Sequence, residues 1–76
     1  MKYDIEIDTK GLKCPLPVLR ARKRLKSMAK GQTLSVWADD PAAVIDFPHF
    51  CAEQNLELLV EEEAQPGSYH FVIKAG

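Results

Sequence analysis

The chain reads as α+β: a two-layer α/β sandwich in βαβαββ order, with a four-stranded mixed sheet and two helices on one face. Three observations predict this. Met1 to Asp8 alternates apolar and acidic residues, the pattern of a half-buried strand. Two later apolar segments each open on a proline, Pro15 and Pro41, which has the φ a helix start needs and no N–H to leave unpaired. Acidic residues line one face of the first and third strand segments, which excludes a sheet covered on both sides.

The elements follow in order. Tyr3, Ile5 and Ile7 share one face of the first strand, and Asp4, Glu6 and Asp8 the other. A loop containing Gly11 leads to a helix from Pro15 to about Ala29. Val18, Ala21, Leu25, Met28 and Ala29 form its apolar arc, opposite Arg20, Lys23, Arg24, Ser27 and Lys30. Gly31 ends it, as glycine does where a left-handed residue closes a helix. Thr33 to Ala38 is the second strand, with Leu34, Val36 and Ala38 inward and Ser35 and Trp37 outward. Asp40 caps a second helix beginning at Pro41. Val44, Phe47 and Cys51 share its apolar face, with Ala43 and Phe50 at the margin, and Pro48 breaks or kinks it near Phe47. Glu57 to Glu62 is the third strand, Gln65-Pro66-Gly67-Ser68 a turn, and Tyr69 to Lys74 the fourth strand. Trp37, Leu59 and Val72 then share the open sheet face. A right-handed crossover makes strands one and two parallel and brings both helix-leading loops to one sheet edge, where ligand sites of open α/β sheets gather.

With 76 residues the chain is expected to form one domain, 1–76, with a small core. Leu, Ile, Val and Phe are 20 of those residues and the net charge is −1, which excludes intrinsic disorder. No apolar run approaches the roughly 20 residues of a membrane span, and the start has no signal-peptide core, so a cytoplasmic, membrane-free location is expected. Two cysteines are too few for a disulfide scaffold. Charge is segregated. Thr9 to Ala38 holds eight of the ten basic residues and no acid, and Asp39 to Glu63 holds eight acids and no base. The fold either pairs these halves as salt bridges or displays them as a dipole, with a basic surface for an acidic partner.

The most informative segment is Gly11-Leu12-Lys13-Cys14-Pro15-Leu16-Pro17. Cysteine caps helices poorly, yet Cys14 falls at the N-cap or just before it. Helix amides, the positive end of the helix dipole and Lys10, Lys13 and Arg20 favour its thiolate, so a depressed pKa and a nucleophile's role are expected. Pro15 and Pro17 stiffen the first turn. Cys51, on the apolar face of the second helix, reads as a small core residue, or else as a resolving thiol for Cys14. His49 and His70 lack ligand spacing with the cysteines and no C-x-x-C occurs, so no metal is expected. No glycine-rich phosphate loop is present, and no cofactor is expected. Asp39 and Asp40 read as turn and cap. Leu16 and Leu19 fall outside the apolar arc and either pack under the loop or form an apolar docking rim.

Leu12-Lys13-Cys14-Pro15-Leu16-Pro17 after a short strand resembles the C-P-x-P signature of the TusA/SirA family. Asp39-Asp40-Pro41 and Asp46-Phe47-Pro48-His49-Phe50-Cys51 resemble that family's D-P loop and later helix, so the resemblance runs from about Asp8 to Ala75. It implies the βαβαββ fold and a sulfur carrier, a sulfurtransferase in the broad sense. A persulfide would form on Cys14, received from a cysteine desulfurase or a rhodanese-like protein. An acceptor protein in tRNA thiolation, molybdenum cofactor synthesis or sulfur oxidation would take the sulfur. Gly11, Pro15 and Pro17 would support the helix start, and Lys10, Lys13, Leu16, Arg20 and Lys23 would meet the partners. The chain is expected to act as a monomer. Two rival readings remain at this stage: an RNA-binding or regulatory module using the basic first helix, although no aromatic residues interleave its basic ones, and a thiol–disulfide switch between Cys14 and Cys51.

Overall fold

The computed structural model describes residues 3–76; Met1 and Lys2, assigned above to the first strand, lie outside the described residues. The elements are β1 (Ile5–Asp8), α1 (Leu16–Lys26), β2 (Thr33–Ala38), α2 (Ala43–Gln54), β3 (Glu57–Gln65) and β4 (Ser68–Lys74). The sheet order is β1-β2-β4-β3. β1 runs parallel to β2, and the other neighbours are antiparallel. Among the described residues, no helix is long and apolar enough to cross a membrane.

The core forms where α1 and α2 meet one sheet face. Leu34, Val36, Ala38, Phe71 and Ile73 of the sheet pack with Ala21, Ala43, Phe47, Phe50 and Cys51 of the helices. Phe47 stacks on Phe71 with ring centroids 4.6 Å apart. The buried set of α2 is rotated from the expected one. Ala43 and Phe50 are inside with Phe47 and Cys51, while Val44 is exposed. That rotation lets α2 continue through Pro48. Proline removes the amide that Val44's carbonyl would accept, but Val44 lies on the exposed side, where water can replace it. Packing of Phe47, Phe50 and Cys51 on both sides of the proline holds the helix together. The left-handed Asn55 closes it, with the Leu56 N–H donating to the Cys51 carbonyl at 2.8 Å.

Four boundaries differ for local reasons. α2 begins at Ala43 and not at Pro41, because Pro41 and Ala42 are taken up in a turn that the Ala43 N–H closes on the Asp40 carbonyl at 2.9 Å. β1 begins at Ile5 because the Asp4 side chain takes over the pairing. Thr33 N–H donates to Asp4 Oδ2 at 2.8 Å, and Asp4 N–H to Thr33 Oγ1 at 3.1 Å. Tyr3 therefore leaves the alternation, and its ring meets His70 at 5.7 Å. α1 stops at Lys26, not near Ala29, because Ser27 donates its hydroxyl back to the Arg24 carbonyl at 2.9 Å. Gly31, at φ 91, closes the following turn rather than the helix, with its N–H on the Ala75 carbonyl. β3 extends to Gln65, and a bulge between Leu58 and Val60 puts Val60, not Leu59, opposite Val72.

The open sheet face is more closed than its alternation implies. Ser35 and Val72, expected to point outward, are fully buried there. His70 is 5% exposed. Its Nε2 lies 2.6 Å from Ser35 Oγ, and its ring stacks on Trp37 at 4.2 Å. Glu6 accepts the Trp37 indole N–H at 2.9 Å, and Glu62 lies 3.6 Å from His70 Nδ1. Among the described residues every buried side-chain nitrogen and oxygen has a partner, which offsets the cost of burying Ser35 and His70.

Candidate functional site

β1 and β2 are parallel, so the loops that follow them leave the same sheet edge, and the two loops bind each other through two carboxylates. Asp39 Oδ1 accepts the Gly11 N–H at 3.0 Å. Asp40 Oδ2 accepts the Cys14 N–H at 2.7 Å, while its Oδ1 accepts the Ala42 N–H at 3.1 Å and turns the chain into α2. These two amides and the Lys13 charge beside it hold the Asp40 carboxyl below its usual range. Thr9 anchors the loop's start: it is 2% exposed, and both its N–H and its hydroxyl donate to the Trp37 carbonyl. Gly11 stands at φ 88, and a Cβ there would meet nothing within 4 Å, so the backbone angle and not space calls for glycine. Asp39 and Asp40 thus form the turn as expected, but Asp40 does not cap α2, whose N-cap is Ala42 two residues further on; instead the two carboxylates brace the cysteine loop, which their sequence spacing does not reveal.

Cys14 is exposed and Cys51 is 3% exposed in the core, and both thiols are free. Pro15 is the residue preceding the first turn of α1, so Cys14 sits just ahead of it, and the Cys14–Pro15 peptide is cis. Pro17 is buried inside the first turn. The expected depression of the Cys14 pKa is reversed: the thiol is raised above 9.0. A hydrogen bond to the Asp46 carboxylate is the largest cause, followed by desolvation and the charges of Asp46 and Asp40. The helix start offers little to oppose this. Pro15 and Pro17 carry no N–H, Leu16 donates to the Lys13 carbonyl at 2.8 Å, and Leu19 donates to the Pro15 carbonyl at 3.1 Å. The basic residues are also engaged elsewhere. Lys13 acts on Asp40, Lys10 Nζ stands 5.4 Å over the Trp37 ring, and Arg20 and Lys23 line a groove along β1. Asp46 was not singled out in the sequence. It lies 32 positions from Cys14, and only the packing of α2 beside the cysteine loop brings the two together. Cys51 is pushed up to about 11, first by burial and then by Glu61.

The candidate partner residues fall into three places. Leu16 is 42% exposed next to Cys14, and Leu19 is exposed one turn on, which makes them rim residues and not packing under the loop. Ile45, next to Asp46 on α2, is a further exposed apolar residue at 73%. Arg20, Lys23 and Arg24 line a groove of about 370 Å³ with Ile7, Asp8, Thr9 and Ser27. Lys10 departs from this set and lies on the open sheet face. The segregated charges are displayed and not cancelled: both ion pairs among the described residues involve histidine, His49 with Glu53 and His70 with Glu62. Basic α1 and acidic β3 stand at opposite sides of the molecule, which favours the dipole over interleaved salt bridges.

Residues 5–75 match the family described as Sulfurtransferase TusA. The chain is 47% identical over 72 residues to a Sulfur carrier protein TusA of Allochromatium vinosum, covering 95% of this chain and 93% of the relative. It superposes on the crystal structure of a SirA-like protein of Desulfitobacterium hafniense with a TM-score of 0.82 and 27% identity, covering 95% of this chain and 97% of the other. The match takes in the cysteine loop, its aspartate brace and all six elements, and the chain belongs to the TusA family of sulfur carriers.

Proposed function

We propose that Cys14 is the position at which this carrier holds its sulfur. The carrying observation is the contrast between the two thiols. Cys14 stands exposed on a braced loop where packing has no use for it, and Cys51 is in the core. In the loading step the Cys14 sulfur attacks the terminal sulfur of a donor persulfide. A new S–S bond forms at Cys14, the donor's S–S bond breaks, and the donor leaves as a thiolate. The proton given up by Cys14 goes to that thiolate, and no net oxidation occurs. Delivery repeats the exchange with Cys14 as the leaving thiol. No metal or organic cofactor takes part.

The raised thiol gives this cycle a rest state. With the Asp46 carboxylate raising its pKa, Cys14 stays a thiol near neutral pH and reacts slowly with stray electrophiles. Asp46 then relays the Cys14 proton to the leaving donor thiolate when a donor arrives. A cysteine desulfurase or a rhodanese-like protein supplies the sulfur, and an acceptor protein in tRNA thiolation, cofactor synthesis or sulfur oxidation receives it. In that sense the chain is a sulfurtransferase acting within the cytoplasm. Partners dock on exposed Leu16 and Leu19 near the thiol, with Ile45 and Lys13 as further contacts, and on the cationic groove of Arg20 and Lys23. Intact-mass measurement after incubation with a desulfurase and cysteine tests this. The chain gains one sulfur atom and the Cys14→Ser variant does not; an equal gain in the variant refutes the assignment.

A further inference from the structure

The open sheet face carries a second concave site at the same sheet edge as Cys14. It is a pocket of about 480 Å³ whose lining includes Glu6, Asp8, Lys10, Trp37, Gln65 and Ser68. The pairing of Asp8 with Trp37, of Ala38 with Tyr69 and of Gln65 with Ser68 places it where β1 and β2 end and the β3–β4 hairpin turns. Lys10 belongs to the loop that continues to Cys14, so a protein reaching Cys14 from this edge also reaches the pocket.

The walls select a cation. Trp37 is fixed from behind by His70, stacked at 4.2 Å and 17°, which leaves its other face toward the pocket. Its indole N–H is donated to Glu6 Oε2 at 2.9 Å, which pins the ring and keeps a carboxylate beside it. Asp8 Oδ1 accepts the Lys10 N–H at 2.9 Å. The second oxygen of each carboxylate makes no hydrogen bond among the described residues and remains for a ligand. An aromatic face flanked by two carboxylates is the chemistry of an ammonium or guanidinium site. The chain itself supplies the independent evidence: the Lys10 ammonium already stands over the Trp37 ring at 5.4 Å.

We propose that this pocket receives an arginine or lysine side chain of a protein that docks at the Cys14 edge, which takes the place of Lys10 over Trp37. The proposal rests on the sulfur-carrier reading for its partner, but its test needs no sulfur transfer. The exchange also frees Lys10, in the same loop as Cys14, from the open face.

Trp37 is the chain's one tryptophan, so its indole N–H gives a single identifiable nuclear magnetic resonance signal. The full chain is titrated with N-acetyl-arginine amide and, separately, with the neutral citrulline analogue. A saturable indole shift with the arginine compound and none with citrulline is expected. Lys10→Ala removes the internal competitor and tightens binding about two- to fivefold, the equivalent of one exposed cation–π contact. Lys30→Ala, an equal charge change on an exposed turn, leaves the affinity unchanged. No saturable shift, an equal shift with citrulline, or the same tightening from Lys10→Ala and Lys30→Ala overturns the proposal. The sulfur-carrier reading stands or falls separately, by the mass gain at Cys14.

Discussion

Replacing Cys14 by serine leaves Cys51 as the chain's one thiol and isolates the other half of the assignment. Cys51 lies on the core face of α2, 3% exposed, with its pKa pushed from 9.0 to about 11. At pH 8 a thiol of pKa 9.0 is about 9% thiolate and one of pKa 11 about 0.1%, so ionisation alone slows alkylation roughly ninetyfold. Exclusion of the reagent from the core adds to that factor. The assay is timed iodoacetamide labelling of the Cys14→Ser chain at pH 8, read by intact mass, native and again in urea. Native labelling at least about ninetyfold slower than unfolded labelling is expected. The folded state holds the Cys51 proton more tightly than the unfolded state, so this contribution to stability is fully present below pH 9 and is lost as pH rises toward 11. Native labelling within a few-fold of the unfolded rate would refute the reasoning and return Cys51 to the role of an accessible resolving thiol.

Three further outcomes follow from the same geometry. Asp46→Asn removes the largest cause of the raised Cys14 thiol, so the pH profile of Cys14 alkylation moves toward lower pH; an unchanged profile would remove Asp46 from the site. Charge reversal at Arg20 and Lys23 slows sulfur uptake from a donor and flattens its salt dependence without changing alkylation of Cys14 by a small reagent; unaltered uptake would place the docking surface elsewhere. Phe47→Ala empties the stack against Phe71 and costs about 3–5 kcal/mol. For a chain this size, with a total stability of about 4–11 kcal/mol, chemical denaturation should show a large fraction of the fold's stability gone.

The element order, the parallel first pair, the one-sided helix layer and the separation of the two thiols were all legible in the sequence, because each follows from a pattern within a few residues. Alternation at Ile5 to Asp8 and Pro15 at the entry to α1 are local signals that packing did not override, whereas Pro41 falls in the turn ahead of α2. What escaped was set by contacts across the chain. The helix start and the basic neighbours Lys10, Lys13 and Arg20 point to a depressed Cys14 pKa, but Asp46 and Asp40, distant in sequence, push it up. Lys10 is adjacent in sequence yet spends its charge on Trp37. Ser35 and Val72 read as outward residues by period, and the Ser35–His70 hydrogen bond with the Trp37–His70 stack makes burial on that face tolerable. The apolar spacing places Val44 inward and Phe50 at the margin, the reverse of their burial, because the start of α2 sets the phase of its apolar arc and a proline inside a helix blurs that phase.

The most direct test of the central claim is to locate the transferred sulfur. The chain is loaded by a desulfurase with cysteine as the sulfur source, trapped with an alkylating reagent, digested and mapped by mass spectrometry. The account predicts one extra sulfur on the peptide containing Cys14 and none on the peptide containing Cys51, with loss of that sulfur when an acceptor thiol is added before trapping. Extra sulfur on Cys51, or loading that persists in Cys14→Ser, would contradict it.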